Sequence, residues 1–202
     1  MVTAQRAYTL ADLPELPDDD RIYDILGGKL VVRNVPDDNH AELLTSLFGP
    51  LYTAQEASYG RVFTSTRAVA LDFPRRGDAA EDVTHPDLFF VREERAEPLR
   101  GPRAFQGVPD LVIEILSRTT RDEHRPCGDL WRAYERNGLP HYWLVDPVRR
   151  TISQHTLIGE TYVGGRYERP DVLREGDILT SPLFPSISAP IGRVFRHVRD
   201  RE

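Results

Sequence analysis

Two acidic residues interrupt runs of apolar residues in a way that needs a chemical reason. Asp87 begins the run Leu-Phe-Phe-Val, and Glu114 lies inside the run Leu-Val-Ile-Glu-Ile-Leu. Such runs are typical of strands covered on both faces, and a buried carboxylate is costly unless it is paired. In one interpretation, each acid accepts hydrogen bonds from an arginine or from backbone amides, which is the commoner fate of a single buried acid. In the other, two carboxylates and a backbone carbonyl hold a divalent cation, because Mg2+ prefers oxygen ligands.

Chain geometry decides which acid can share an ion with Glu114. Asp110 lies four residues earlier on the same predicted strand, and at ~3.3 Å per residue the two carboxylates are ~13 Å apart. One ion bound at ~2 Å cannot bridge that distance. Asp87 comes from a different strand, and sheet pairing can bring it beside Glu114. We therefore predict that Asp87 and Glu114 share one face at one end of a central sheet, and that the pKa of one of them is raised by the other.

Hydrophobic periodicity and turn residues predict the elements that must position this pair. A helical turn is expected at 10–16, Gly27-Gly28 suits a hairpin turn with positive φ, and Pro50 should kink the first long helix. Strands that bracket helices indicate an α/β core. The predicted helices cover 37–58, 126–138 and 191–201; the predicted strands cover 21–25, 29–33, 61–71, 85–91, 110–116, 141–146, 151–155 and 161–167; the stretches 92–108 and 181–190 are predicted to be connection and coil.

Length and composition predict a single soluble domain. The chain has 202 residues and a mass of 23.0 kDa, within the ~100 to 200 residues of a typical domain. We expect one domain over 1–202, with an N-terminal turn and hairpin at 1–35, a core at 36–148, and a C-terminal β extension and tail at 149–202. No run approaches the ~18 apolar residues of a membrane span. The single cysteine, Cys127, cannot form an internal disulfide, and no signal peptide is recognisable, so we expect a cytoplasmic protein.

The charge balance limits both the partners and the catalytic groups. The formal net charge is -6, from 32 acidic and 26 basic residues, so no global basic field attracts a polyanion and any nucleic-acid contact must be local. Of the basic residues, 25 are arginines and one is a lysine, Lys29. A catalytic lysine therefore has a single possible position, within the predicted hairpin.

Several blocks of sequence, taken in order and at their separations, resemble a known family. The blocks are RIYDILGGKLVV, His40 near the start of the first helix, HPDLFFV, PDLVIEILS and AYERNGLPHYWLVDP. Together they resemble the Uma-two family of endonucleases, within the PD-(D/E)XK nuclease superfamily, from about residue 9 to residue 195. The resemblance implies an α/β fold with a restriction-endonuclease-like mixed central sheet flanked by helices. Alternation around Gly159 and Gly164-Gly165 predicts that a C-terminal β-meander extends this sheet.

The same resemblance implies a metal site and a substrate. Asp87 and Glu114 would be the metal ligands, the carbonyl of Ile115 would add a third oxygen, and His40 falls at the polar position of the first helix, near the site. Mg2+ or Mn2+ would be the cofactor and DNA the substrate, with no membrane involved. A homodimer or a higher homo-oligomer would suit the cutting of both strands.

The sequence departs from the family pattern at the lysine. The superfamily position two residues after the glutamate is Leu116, and the alternative family position, four residues before Tyr134, is Leu130. An arginine within 118–132 would then supply the positive charge, although a guanidinium stays protonated and cannot act as a base. The candidate that we select is Arg125, and the others are Arg118, Arg121 and Arg132.

Two functions of different classes follow from these residues. The first is a Mg2+-dependent endonuclease that hydrolyses DNA phosphodiester bonds, and the retained acid pair favours it. The second is a nuclease-fold protein that has lost turnover and binds nucleic acid or a protein partner, which Leu116 and Leu130 favour. A glycosidase-like carboxylate pair has no supporting feature. The aromatic residues Trp131, Tyr134, Tyr142 and Trp143 are expected to serve as core or interface residues.

Overall fold

The order of elements alternates between strands and helices, as the sequence predicts. The computed structural model describes residues 6–19, 21–33, 37–117, 128–159, 165–184 and 187–199. The strands in these ranges are β1 (Ile22–Leu26), β2 (Lys29–Arg33), β3 (Gly60–Thr64), β4 (Val69–Ala70), β5 (Asp82–Thr84), β6 (Leu88–Arg92), β7 (Phe105–Gln106), β8 (Leu111–Ile115), β9 (His141–Asp146), β10 (Thr151–Ile158), β11 (Arg166–Tyr167), β12 (Asp171–Leu173), β13 (Ile178–Leu179) and β14 (Ala189–Pro190). The helices are α1 (Asp38–Glu56), α2 (Phe73–Arg76), α3 (Glu93–Ala96), α4 (Asp129–Asn137) and α5 (Ile191–Val194), with short 3-10 helices at Leu10–Glu15 and Gly77–Ala79.

A mixed central sheet with helices on both faces forms the core. Its strand order is β11-β10-β9-β8-β6-β3, and β12 pairs with β10. Strands β8 and β9 run parallel, whereas β6 pairs with β8 in the antiparallel sense. The apolar residues of α1 pack on one face against Leu111 and Ile113, and those of α4 pack on the other face against Val112. The predicted mixed sheet flanked by helices is therefore confirmed.

Helix α1 forms where the spacing of its leucines predicts it. Leu43, Leu47 and Leu51 are buried on the face toward the sheet, because residues three and four apart share one side of a helix. Asp37 caps the helix by accepting a hydrogen bond from the backbone N–H of His40, at 3.0 Å. This cap satisfies one of the free amides of the first turn and places His40 on that turn.

The N-terminal hairpin belongs to a second sheet. Strands β1 and β2 pair across Gly27 and Gly28, whose φ angles of 58° and 76° are those that glycine adopts without strain. The order of this sheet is β2-β1-β5-β4-β7. The predicted partition of the chain at residues 35 and 148 stays a prediction, although β5 and β10 each pair with a strand across one of those boundaries.

Four local predictions were wrong. The stretch 61–71 divides between β3 in the central sheet and β4 in the second sheet, because a turn closed by Arg67 N–H and Thr64 C=O separates them. The predicted connection at 92–108 contains α3 and β7, and the predicted coil at 181–190 contains β14. The predicted terminal helix at 191–201 is described only as α5, a four-residue turn. Strands of two residues give no periodicity, so pairing with a distant neighbour rather than local pattern defines them.

Part of the region around helix α4 lies outside the described residues. The predicted helix start at Pro126, and Cys127, are outside the described ranges, and α4 is described from Asp129. It ends at Gly138, which has a φ of 78°, as the glycine there predicts. Among the helices that the structure describes, none is both long and apolar enough to cross a membrane.

Candidate active site

Asp87 and Glu114 lie next to each other on neighbouring strands at one end of the central sheet. Leu88 pairs with Ile113 in the antiparallel register of β6 and β8, so the preceding residue, Asp87, lies opposite Glu114. Each acid is two residues from a residue that faces α4, Phe89 in one case and Val112 in the other. Side chains alternate along a strand, so both acids project from the same face, as the sequence predicts.

Ile115 contacts this pair through its backbone. Its N–H donates a hydrogen bond of 2.7 Å to Asp87 Oδ2. In an antiparallel ladder, the N–H and the C=O of one residue face the same neighbouring strand. The carbonyl that the resemblance assigns to the metal therefore lies on the side of β8 where Asp87 is found, while the Ile115 side chain packs in the core on the α1 face.

Asp110 belongs to a separate structural contact. Its carboxylate accepts a hydrogen bond of 2.9 Å from the backbone N–H of Arg92 and another of 2.5 Å from the Arg95 guanidinium. Arg95 also donates to the carbonyl of Val108. These contacts satisfy the acid where it lies, in agreement with the distance argument that separates it from Glu114.

His40 reaches the pair from the opposite helix layer. Its Nε2 lies 3.0 Å from Asp87 Oδ2, and its side chain is 11% exposed. The position at the first turn of α1, which the Asp37 cap fixes, brings the ring to the end of the sheet where β6 begins. The structure thus brings three of the predicted residues to Asp87: Glu114 on the neighbouring strand, the backbone of Ile115, and the His40 side chain.

Glu114 is completely buried, and both of its carboxylate oxygens have partners. The Tyr134 hydroxyl, on α4, donates a hydrogen bond of 2.7 Å to Oε1, and the Tyr134 oxygen lies 3.5 Å from Thr84 Oγ1. Arg33 Nη1, at the end of β2, lies 3.3 Å from Oε2. A tyrosine from one layer and an arginine from the second sheet therefore meet at this carboxylate.

Arg33 is held by groups of the second sheet. Its Nε lies 2.9 Å from Asp24 Oδ2, and its Nη2 donates to the carbonyl of His85. Asp24 in turn accepts a hydrogen bond of 2.8 Å from the His85 backbone N–H, and its Oδ1 lies 3.0 Å from His85 Nδ1. Each guanidinium nitrogen thus lies close to an oxygen atom, although the contact of Nε with Asp24 is an ion pair without hydrogen-bond geometry. The side chain is only 8% exposed.

The acids of the site differ in how easily they ionise. Burial, followed by the charge of Asp87, raises the pKa of Glu114 to about 8, although Arg33 and Tyr134 act in the opposite direction. Burial also opposes ionisation of Asp87, but the His40 contact and the Arg33 charge lower its pKa below the ordinary value. Arg33 has a raised pKa because the attraction of Asp24 and Glu114 exceeds the effect of burial. The expectation that one acid of the pair has a raised pKa agrees with this result.

The donor set fits a divalent cation. Within the described ranges, no three His, Cys, Asp or Glu side chains are arranged to hold an ion, so a cation at this position would depend on two carboxylates and a backbone oxygen. Asp24, Asp87 and Glu114 carry three formal negative charges, and Arg33 contributes one positive charge. Since Asp24 is the closest acid to Arg33, the predicted pair receives only part of that positive charge, and the raised pKa of Glu114 reflects this. Hard oxygen ligands with two negative charges are the set that Mg2+ or Mn2+ accepts.

The positions predicted for the family lysine or for an arginine substitute are not found at the acid pair among the described residues. Leu130 is buried on α4 within the apolar cluster that contains Val112 and Tyr134. Arg132 is largely exposed, with Nη1 3.9 Å from Asp129, so it does not supply charge at the pair. Lys29 is exposed beside the hairpin turn. The selected arginine, Arg125, lies outside the described residues together with Arg118 and Arg121.

Sequence reasoning missed Arg33, Asp24 and His85, and it treated Tyr134 as a core aromatic. One signal was available for Asp24, because it lies in the apolar run Ile-Tyr-Asp-Ile-Leu and is as anomalous there as the other two acids. Arg33 gives no such signal, since an arginine at the end of a strand is ordinary. Its contact with Glu114 spans 81 residues of sequence, which periodicity cannot report.

Comparison with known proteins places these residues in a family. The family model described as "Uma2: Putative restriction endonuclease" matches residues 10–192. Among curated proteins, none matches the chain. Among solved structures, the chain is similar to a protein from Anabaena variabilis ATCC 29413 titled "putative nuclease belonging to DUF820", with a TM-score of 0.67 and 19% sequence identity.

That similarity covers 94% of this chain and 98% of the other. At this level of identity it supports the fold, and it agrees with the restriction-endonuclease-like architecture. The family match extends over nearly the whole chain and includes the hairpin, the acid pair and the α4 tyrosine. The resemblance that the sequence motifs indicated is therefore confirmed, and the chain belongs to the Uma2 family of restriction-endonuclease-like proteins.

Proposed function

We propose that this protein is a Mg2+-dependent endonuclease that hydrolyses phosphodiester bonds of DNA. The observation that carries the proposal is the buried pair of Asp87 and Glu114 on adjacent strands, with the Ile115 backbone beside it. Family membership supports a nuclease. The metal ion, the DNA substrate and the roles of the individual residues are parts of the proposal.

Charge explains why such a pair suits a cation. Asp24 and Arg33 form an ion pair of 2.9 Å, so Glu114 only shares this guanidinium with Asp24, and Asp87 has no arginine contact of its own among the described residues, its contacts being the Ile115 N–H and His40. A buried carboxylate without a counter-charge is expensive. A dication held by Asp87, Glu114 and the Ile115 carbonyl would balance the two charges.

When bound, the ion would neutralise negative charge on the scissile phosphate and lower the pKa of a water molecule. The chain's own groups have positioning roles. The Ile115 N–H holds Asp87 Oδ2, and His40 Nε2 contacts the same oxygen, so the direction of this carboxylate is fixed from two sides. The Tyr134 hydroxyl fixes Glu114 in the same way. These contacts orient the ligands before substrate arrives, which is the usual function of the groups around a metal site.

A plasmid-nicking assay tests this function. Wild type should nick and then linearise supercoiled plasmid in the presence of Mg2+ or Mn2+ and should be inactive in EDTA. Glu114→Gln, which keeps the size of the side chain, should abolish the activity. Asp110→Asn is the matched control, because it neutralises another buried acid near the opposite end of the same strand and should leave cleavage intact. Absence of wild-type cleavage, or full activity in Glu114→Gln, would refute the proposal.

A second function is favoured by one observation. The family lysine position is Leu130, which lies in the apolar cluster on α4, so the chain can also be interpreted as a nuclease-fold protein that binds nucleic acid or a protein partner without turnover. Metal-independent DNA binding by a wild type that never cuts would establish this alternative. The proposed assembly into a homodimer or a higher homo-oligomer is checked separately by light scattering of the full chain.

A further inference from the structure

We infer that Arg33, anchored by Asp24, is the counter-charge of this site and performs from the second sheet the electrostatic part of the work that the superfamily assigns to its lysine. The inference rests on the proposed function and adds a residue to it. Arg33 is a positioning residue, because its three guanidinium nitrogens contact Asp24, Glu114 and the His85 carbonyl. It therefore acts through its contact with Glu114 and through the field of its charge, without touching the substrate.

The position of Arg33 is specified by the fold. Asp24 and Arg33 belong to the two strands of one hairpin, and the register pairs Asp24 with Val31, two residues before Arg33. His85, immediately after β5, contacts both members of the ion pair. The guanidinium is thus fixed by one sheet while its free edge meets an acid of the other sheet.

Within the part of the chain that the structure describes, no other arginine or lysine occupies this place. Among the described residues, Arg33 is the one whose charged group lies within 4 Å of Glu114 or Asp87, apart from the imidazole of His40. Lys29 is exposed, and Arg132 lies beside Asp129 on the surface. Arg33 is also suited chemically, because a guanidinium keeps its proton when buried whereas a lysine readily loses it.

This role predicts that metal affinity and turnover respond in opposite directions. The positive charge of Arg33 repels a dication at Asp87 and Glu114, so its removal should strengthen metal binding. The same charge should offset the negative charge that develops on the phosphate during cleavage, so its removal should slow turnover. If Arg33 merely supported the fold, its loss would weaken both.

The experiment measures Mn2+ affinity by titration calorimetry, and plasmid cleavage, on the full chain. In Arg33→Met we expect Mn2+ to bind about tenfold more tightly and cleavage to fall by about 10² to 10³. In Arg33→Lys, which keeps a charge, we expect Mn2+ affinity close to wild type and at least about a tenth of the cleavage rate to remain. A folded Arg33→Met protein with unchanged affinity and unchanged cleavage would overturn the inference, as would equal losses of both quantities in the two variants.

Asp24→Asn provides a second variant if Arg33→Met does not fold. It keeps Arg33 but removes the acid that balances it, so Mn2+ affinity should fall rather than rise. An affinity in Asp24→Asn equal to or above that of wild type would overturn the inference. Thermal unfolding of each variant identifies those that are folded.

Failure of the inference can be distinguished from failure of the proposed function. If wild type cleaves in a Glu114-dependent way but Arg33→Met cleaves equally well, the function stands and the inference is wrong. If wild type binds Mn2+ but never cleaves, the proposed function is wrong, and the affinities then decide the role of Arg33. Tighter binding in Arg33→Met together with weaker binding in Asp24→Asn would support the counter-charge, and unchanged affinities would overturn it.

Discussion

Buried acids in two regions of this molecule are compensated to different degrees. Asp82, in β5, accepts a hydrogen bond of 2.8 Å from Gly27 N–H, one of 2.8 Å from Arg136 Nε and one of 2.6 Å from Asn137 Nδ2. At the end of β6 and β8, by contrast, Glu114 shares the single guanidinium of Arg33 with Asp24. Asp87 contacts the Ile115 N–H and His40 Nε2 but no guanidinium of the described residues.

Under the proposed function, this difference separates an acid that stabilises the fold from acids that bind a metal ion. The Asp82 cluster connects β5, the hairpin turn and the end of α4, and each carboxylate oxygen has at least one N–H donor. Asp110 follows the same rule with Arg95. Where the protein leaves negative charge uncompensated in its interior, it gives up stability, and sites with that property are frequently functional.

Loss of Asp87 should have the largest effect. Asp87→Asn removes one of the two proposed ligands and should lower metal-dependent cleavage by about 10³ or more, because a single carboxylate holds Mg2+ poorly. Asp82→Asn, tested at the same folded concentration, should keep the wild-type cleavage rate. Equal losses in the two variants would contradict the distinction between the regions.

Neutralising a buried acid should lower the stability of the protein at Asp82 but not at Glu114. Asp82→Asn removes charged hydrogen bonds at a buried position, so the free energy of unfolding should fall by about 1 to 3 kcal/mol. Glu114→Gln removes a carboxylate that burial and Asp87 disfavour, so at pH 8 in EDTA its stability should equal or exceed that of wild type. Urea unfolding monitored by circular dichroism measures both. A Glu114→Gln protein as destabilised as Asp82→Asn would show that Glu114 is as well compensated as Asp82.

Leu130→Lys tests whether the family lysine is missing or replaced. Leu130 is one helical turn before Tyr134, whose hydroxyl contacts Glu114, so a lysine there can direct its charge toward the pair. Leu130→Lys alone should give no gain in cleavage, because Arg33 already supplies the positive charge. It should also lower the melting temperature, because the charge of the new lysine is buried. In the Arg33→Met background we expect cleavage to rise about tenfold. An equal gain in both backgrounds would show that Arg33 does not fill this role.

The last prediction concerns pH, where the change over any single pH unit is small. Glu114 ionises with a pKa of about 8 in the folded protein, against an ordinary value of 4.5. Between these values the folded state binds the extra proton, so without metal its stability should be greatest at the acidic end and should fall as pH rises toward about 8, by at most ~1.4 kcal/mol per pH unit. Urea unfolding in EDTA at several pH values measures the slope. Glu114→Gln should reduce it, whereas Asp82→Asn should preserve it.

The sequence predicts those parts of the molecule in which local pattern and tertiary structure agree. The leucines of α1, the glycines of the hairpin turn and the apolar run of β8 each carry their own periodicity or turn chemistry, and these elements form where they are expected. The acid pair could be predicted because a carboxylate inside an apolar strand is costly, whatever the fold. The family resemblance added the mixed sheet.

Other features depend on contacts between distant segments. Strand β7 has two residues and is defined by its parallel pairing with β4, so no local signal marks it. Arg33 was missed for the same reason, since nothing near it in sequence indicates that Glu114 is its neighbour. The family pattern points to residues 118–132 for a substitute of the lysine and gives no indication of Arg33.

The glycine turn of the N-terminal hairpin has a consequence for folding order. Asp24 and Arg33 are nine residues apart, and a two-residue turn brings their strands together within the ~1 to 10 μs that a hairpin needs. The long-range pairing of β6 with β8 closes much larger loops and is slower. The arginine can therefore enter the interior already accompanied by its acid, so the folding chain need not bury a lone cation before Glu114 arrives.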